Sequence, residues 1–218
     1  AHYHHAALAT RLRKVNHSGM ARAFNALVAS VAIFGLILQG ALAVRQLGLV
    51  HGLWSLTGYF TEWANALVAL VAGASVLAPS SWLAQPRVRM MALVGISMVG
   101  IVYSMALRAL MPDDFGMLLA GSVQHDVVPL LFAAAWLFGP HGNPDRSWFL
   151  WILALPLVFL AAMVLRGLAT GWYPYWFIDP GTVDMTGAAL VVAAMVAAFL
   201  LLSLGALWVE RRLAVSRE

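Results

Sequence analysis

Six long apolar runs, none with a charge near its centre, dictate where this 218-residue chain can fold. A helix needs about 20 mostly apolar residues to cross a bilayer, where each backbone amide must find its partner inside the segment. The runs that qualify are Phe24–Val44, Phe60–Ala78, Met90–Leu110, Val123–Phe138, Trp148–Leu165 and Met185–Val209. The fourth is short and carries Pro129, so it is expected to be bent, tilted or lengthened by its flanks. With 62% hydrophobic and 10% charged residues, the chain lacks the polar surface that a water-soluble globule requires. The expected fold is all-α, a polytopic membrane bundle of about six transmembrane helices.

Residues 1–19 read as a polar N-terminal extension, and 20–218 as a single transmembrane domain. The extension carries His2, His4, His5 and His17 but no apolar core of the kind a secretory signal needs. Those histidines can bind metal, yet a loose tail with incidental histidines explains them as well. No 20–50-residue period recurs, so a solenoid is not expected. The two halves show no sequence match of the sort that marks inverted-repeat transporters.

Basic residues set the expected orientation. With the N-terminus inside, Arg11, Arg13, Lys14, Arg22, Arg87, Arg89, Arg146, Arg211, Arg212 and Arg217 are cytoplasmic, while Arg45, Arg108 and Arg166 lie outside. That imbalance places both termini in the cytoplasm. The formal charge of +4 then reflects topology, and no nucleic-acid partner is implied. Arginine far exceeds lysine, which suggests a GC-rich bacterial genome and an inner or plasma membrane location. The absence of cysteine excludes disulfides, thiolate metal sites and a Cys nucleophile.

Polar residues open two of the runs at matching depth. Tyr59-Phe60-Thr61-Glu62-Trp63-Ala64-Asn65 begins the second, and Gln124-His125-Asp126-Val127-Val128-Pro129 begins the fourth. Such groups are costly in a bilayer and by default mark a site. A hydroxyl near an imidazole is the minimum equipment for nucleophilic catalysis. Thr61 and Asn65, four apart, share one helix face. His125 is expected in the first turn of its helix, so that two helix N-termini would face one pocket and favour an oxyanion and a neutral imidazole. Plainer roles are available for each. Thr61 can cap a helix, Asn65 can bond to a neighbouring helix, and His125 can donate to a backbone carbonyl.

These segments resemble a family of small bacterial membrane proteins known as Pr6Pr. That family carries Tyr-Phe-Thr-x-x-(Ser/Thr)-Asn, a His-x-x-x-Pro segment followed by Asp-Trp, and Gly-Trp-Tyr-Pro-Tyr-x-Phe-x-Asp-Pro. The last reads here as Gly171-Trp172-Tyr173-Pro174-Tyr175-Trp176-Phe177-Ile178-Asp179-Pro180, preceded by Arg166-Gly167. Ala64 replaces the family's hydroxyl residue, and Ala135 stands where an Asp precedes Trp136. The family is in turn distantly similar to androgen-induced membrane proteins, intramembrane threonine hydrolases of fatty acid esters of hydroxy fatty acids. The resemblance implies Thr61 as nucleophile and His125 as base.

Other residues can complete such a site. Asp179 and Asp184 can orient His125, whereas Asp126, adjacent on the helix, diverges by about 100°. Tyr173 or Asn65 can donate to the oxyanion. Arg166 can pair with a fatty carboxylate, although a snorkelling arginine at a helix end needs no ligand. Glu62 reads equally as a solvated interface residue or a proton acceptor. Trp54, Trp172, Tyr173, Tyr175 and Trp176 fit an interfacial aromatic belt without any ligand.

Three function classes follow. The first is a lipid-ester hydrolase reached from the outer leaflet, with membrane lipid as its partner and neither metal nor cofactor. The second is a non-catalytic accessory subunit of a larger membrane complex. The third, a small transporter or channel, lacks the charged residues that ion paths leave near the bilayer centre.

Overall fold

The computed structural model describes residues 2–110, 113–175, 179, 181 and 184–215, with side chains from Gly19 onward save Leu110 and Met185. Among these residues there are helices and no strand. We number them α1 (His2–Leu47), α2 (Leu49–Leu56), α3 (Phe60–Leu77), α4 (Pro86–Val102), α5 (Phe115–Ser122), α6 (Val128–Leu137), α7 (Ser147–Thr170) and α8 (Met185–Val215). Two π-helical turns interrupt the series. Tyr103–Leu107 prolongs α4, and Val123–Val127 joins α5 to α6 in one rod.

Six segments are long and apolar enough to span a bilayer, namely Gly19–Leu47, Phe60–Leu77, Pro86–Leu107, Phe115–Leu137, Ser147–Thr170 and Thr186–Val215. The molecule is a multi-pass membrane bundle. The fourth span is lengthened by its N-terminal flank, one of the solutions its short apolar run allowed. The polar stretch before Gly19, expected as a loose tail, continues α1 as helix.

Local chemistry explains several boundaries. Pro86 starts α4, where its missing amide costs nothing because a first-turn donor has no intrahelical acceptor. Asp114 caps α5 by accepting from the Met117 amide at 3.0 Å. Gly171 ends α7 at φ 70°, a left-handed conformation that glycine adopts without strain. Gly52 lets α2 lie on α1, since a Cβ there would stand 2.7 Å from the Ala43 carbonyl oxygen.

The central element is α4, which packs against α3, α6, α7 and α8. Of its apolar stretch 56% is buried within the protein, and no other span exceeds 33%. In a bilayer the remaining apolar surface needs no protein cover, so packing rests on close van der Waals contact. Small or slender residues supply it, with Ala64, Val68, Val71, Ala72, Ala92 and Val94 all fully buried. Leu130, Leu168 and Leu201 remain exposed, as lipid-facing side chains do.

Candidate active site

The start of α3 and the π turn of the fourth span lie side by side. Thr61 Oγ1 stands 3.2 Å from His125 Nε2. The other ring nitrogen, Nδ1, is 2.8 Å from the Gly121 carbonyl oxygen. A carbonyl can only accept, so Nδ1 carries the proton and Nε2 presents a lone pair to the threonine hydroxyl. This is the tautomer a general base needs. The Tyr103 ring lies against the imidazole, with centroids 4.0 Å apart and planes inclined by 18°. Carbonyl and phenol ring together fix the imidazole in position and orientation.

The two π turns create this arrangement. Pro129 has no amide hydrogen to give His125's carbonyl, so the helix above it loses one rung and widens. Gly100 of α4 closes onto the same point, since a Cβ there would stand 2.9 Å from the His125 carbonyl oxygen. Tyr103, which opens the π turn of the third span, then meets His125, near the middle of its partner turn. The histidine therefore sits about three turns in from the Asp114 cap rather than in the first turn of its helix. Of the two spans expected to present an N-terminus here, α3 does and the fourth does not, which corrects the expectation of two.

Two cavities meet at this pair. One, about 320 Å³, is an apolar groove between α3, α4, α7 and α8, lined by Phe60, Met98, Phe159, Met195 and Phe199 among others. The second, about 590 Å³, is more polar and is bordered by Gln39, Gln46, Tyr59, Glu62, Tyr103, Gln124 and Trp172. Thr61, His125, Tyr175 and Leu107 border both. The hydroxyl is thus open to an apolar chain on one side and a polar group on the other.

Other expected residues are placed differently. Asn65 is fully buried and borders neither cavity. Its Nδ2 donates to the Thr61 carbonyl at 2.9 Å and the Gln124 carbonyl at 3.3 Å. It pins the two helices together instead of donating to an oxyanion, because both amide hydrogens are committed to backbone. Tyr173 packs against Gly167 and also borders neither cavity. Tyr175 takes the place expected for it, and accepts from the Phe60 amide at 2.9 Å. Burial pushes the Tyr175 phenol up to about 12, so it stays protonated.

Arg166 borders neither cavity. It donates to the Trp54 carbonyl and Thr57 Oγ1, both at 3.1 Å, with the Trp54 and Trp172 rings 4.4 and 4.1 Å from its guanidinium carbon. A fatty carboxylate finds no guanidinium in either cavity lining described. Asp179 accepts from the Gly181 amide and Asp184 from the Gly187 amide, each at 2.8 Å, and neither borders a cavity. The Gly121 carbonyl does the orienting expected of an Asp. Asp126 pairs with Arg108, in keeping with its divergence from His125. Trp176, Phe177, Ile178 and Pro180 lie outside the described residues. Ala135 is buried at the other end of α6, where its carbonyl receives Arg89 at 2.7 Å, so the carboxylate missing there is not one that would touch His125.

Sequence reasoning missed Tyr103, the Gly121 carbonyl and the pairing of Gln124 Nε2 with both Glu62 oxygens, at 3.1 and 3.3 Å. Pro129 was the one visible signal that the helix before it would open. Comparisons with protein-family models, with curated proteins and with solved structures returned no match.

Proposed function

We propose that this protein is an intramembrane lipid-ester hydrolase with Thr61 as nucleophile and His125 as general base. The observation that carries the reading is the 3.2 Å Thr61–His125 contact, with the imidazole locked in the accepting tautomer, at the junction of an apolar and a polar cavity. As Thr61 Oγ1 attacks the ester carbonyl carbon, its proton passes to His125 Nε2. The tetrahedral intermediate then collapses, the carbonyl carbon–alkoxy oxygen bond breaks, and the departing alcohol takes that proton. Water, deprotonated by the same nitrogen, cleaves the acyl-threonine and returns the free acid. Of the first-turn amides of α3, that of Phe60 is taken by Tyr175 and that of Glu62 by the Tyr59 carbonyl, so the Thr61 amide is the donor assigned here to the oxyanion. The Pr6Pr resemblance and its distant threonine-hydrolase kinship agree with these roles.

The test is turnover of long-chain fatty acyl esters in mixed micelles. Wild-type protein should cleave them, and Thr61→Ala and His125→Ala proteins should not. Undiminished cleavage by Thr61→Ala would dispose of the threonine mechanism. We also place this end of the bundle at the outer leaflet of a bacterial membrane, on the arginine imbalance. A cysteine at Ser55 should then react with an impermeant maleimide on intact cells, and one at Ser81 should not; the reverse pattern would turn the molecule over.

A further inference from the structure

The polar cavity says more than that a headgroup is polar. Among its described lining residues are four aromatic rings, Tyr59, Tyr103, Trp172 and Tyr175, and one carboxylate, Glu62, but no arginine or lysine. Glu62 takes hydrogen bonds from Gln124 alone among the described contacts, and forms no ion pair. Two carboxylate oxygens offer about four acceptor directions, so a single amide leaves most of them open. The two nearby arginines lie outside this lining. Arg108 is paired with Asp126 and lies over the Tyr103 ring, and Arg166 is held by Trp54, Thr57 and Trp172, which leaves the Tyr59 ring with no arginine over it among the described contacts. The rings are mutually braced, with Tyr59 edge-to-face against both Trp172 and Tyr175 at 6.1 Å between centroids. Aromatic rings beside a space that also holds a carboxylate favour a weakly hydrated cation, above all a quaternary ammonium. An anionic headgroup would meet Glu62 with no arginine or lysine in the described lining.

We infer that the polar cavity binds an ammonium-bearing alcohol portion of the substrate, so that the substrate class is a fatty acyl ester of a cationic, choline-like alcohol. The assignment rests on the hydrolase reading for its reaction, but the cation site can be tested without any turnover. In this arrangement the acyl chain lies in the apolar groove, the ester carbonyl sits at Thr61, and the ammonium group rests beside Glu62 and the Tyr59 ring.

Binding should be measured by equilibrium dialysis in maltoside micelles, using the full chain and its Thr61→Ala variant. The probes are radiolabelled decyltrimethylammonium, its neutral isostere with carbon in place of nitrogen, and decyl sulfate. The cation should bind at least about ten-fold tighter than the isostere to both proteins, and decyl sulfate weakest of all. Glu62→Gln should remove most of that preference, while Glu62→Asp should keep it. Equal binding of cation and isostere to wild-type protein would overturn the inference, whether or not the variants fold. So would a preference unchanged in folded Glu62→Gln protein. Cation-selective binding without ester cleavage would instead remove the hydrolase reading and leave the ammonium site standing. Cleavage of neutral and cationic esters at equal efficiency would do the opposite.

Discussion

Buried polar groups occur at both ends of this bundle, and they are used in opposite ways. At the end away from Thr61, Arg89 is fully buried and donates to Ser75 Oγ at 3.2 Å, Asn25 Oδ1 at 3.5 Å and the Ala135 carbonyl at 2.7 Å. Glu210, also fully buried, accepts from the Gly142 amide and pairs with His141, both at 2.8 Å. These contacts tie α1, α3, α4, α6, α8 and the loop before α7 together, and none of these residues borders either cavity. At the Thr61 end Thr61, His125, Glu62 and Gln124 are also held by hydrogen bonds, but each of these borders a cavity. Burial alone therefore does not identify a site in a membrane protein. A polar side chain whose contacts are all to its neighbours holds helices together, and one that borders a cavity is available for chemistry.

The sharpest break in that comparison is expected from the reacting pair. Thr61→Ala and His125→Ala should each lower lipid-ester cleavage by about a thousand-fold or more, with the double variant little worse, because the two act as one unit. Thermal unfolding in detergent should move little, since an interhelical polar contact in a bilayer contributes only about 1 kcal/mol. Loss of the fold in both single variants would assign them to the same structural class as Arg89.

Arg89→Ala should show the mirror image. Removing it leaves Asn25 Oδ1 and the Ala135 carbonyl without that donor, and each buried acceptor left unsatisfied costs about 1–3 kcal/mol. A large fall in melting temperature is expected, with cleavage per folded molecule preserved. A variant that is stable but inactive would mean that the two ends are coupled.

Gly100→Ala probes the link between packing and site. Its methyl group would press on the His125 carbonyl, and a displacement of about 1 Å can cost on the order of a hundred-fold in rate. Activity should fall more than stability does, and an unchanged rate would show that the π turn yields without moving the imidazole. The smallest effect is expected at Asn65. Asn65→Ala should cost about 1 kcal/mol of stability and a few-fold in activity, because its amide steadies Thr61 and does not touch substrate. A loss matching that of Thr61→Ala would restore it to the reacting groups.

Much of this was legible in the sequence, for reasons specific to membranes. Bilayer thickness sets the length of an apolar run, so the six spans stand out, and the same apolar background makes Thr61 and His125 conspicuous. The meeting of these two was therefore open to inference from composition and position. Arg89 was not, because at the edge of an apolar run it looks like one more interfacial anchor; Pro86 starts the helix early enough to draw it inside. The π turns leave no trace in hydrophobic periodicity, and they decide that Tyr103 meets His125. Nor does spacing reveal which tyrosine of the Gly171–Tyr175 loop turns inward, since the left-handed Gly171 and the packing of Tyr173 on Gly167 set that choice. The direction of the Asn65 amide depends on the Gln124 carbonyl, 59 residues away.

The most direct test of the central claim is the chemical fate of one oxygen. Wild-type protein in mixed micelles should be treated with a long-chain alkyl fluorophosphonate, digested, and the adduct located by mass spectrometry. The account predicts a single phosphonylated residue, Thr61, with labelling abolished in Thr61→Ala and strongly slowed in His125→Ala. An adduct on another residue, or none on folded wild-type protein that still cleaves lipid esters, would contradict it.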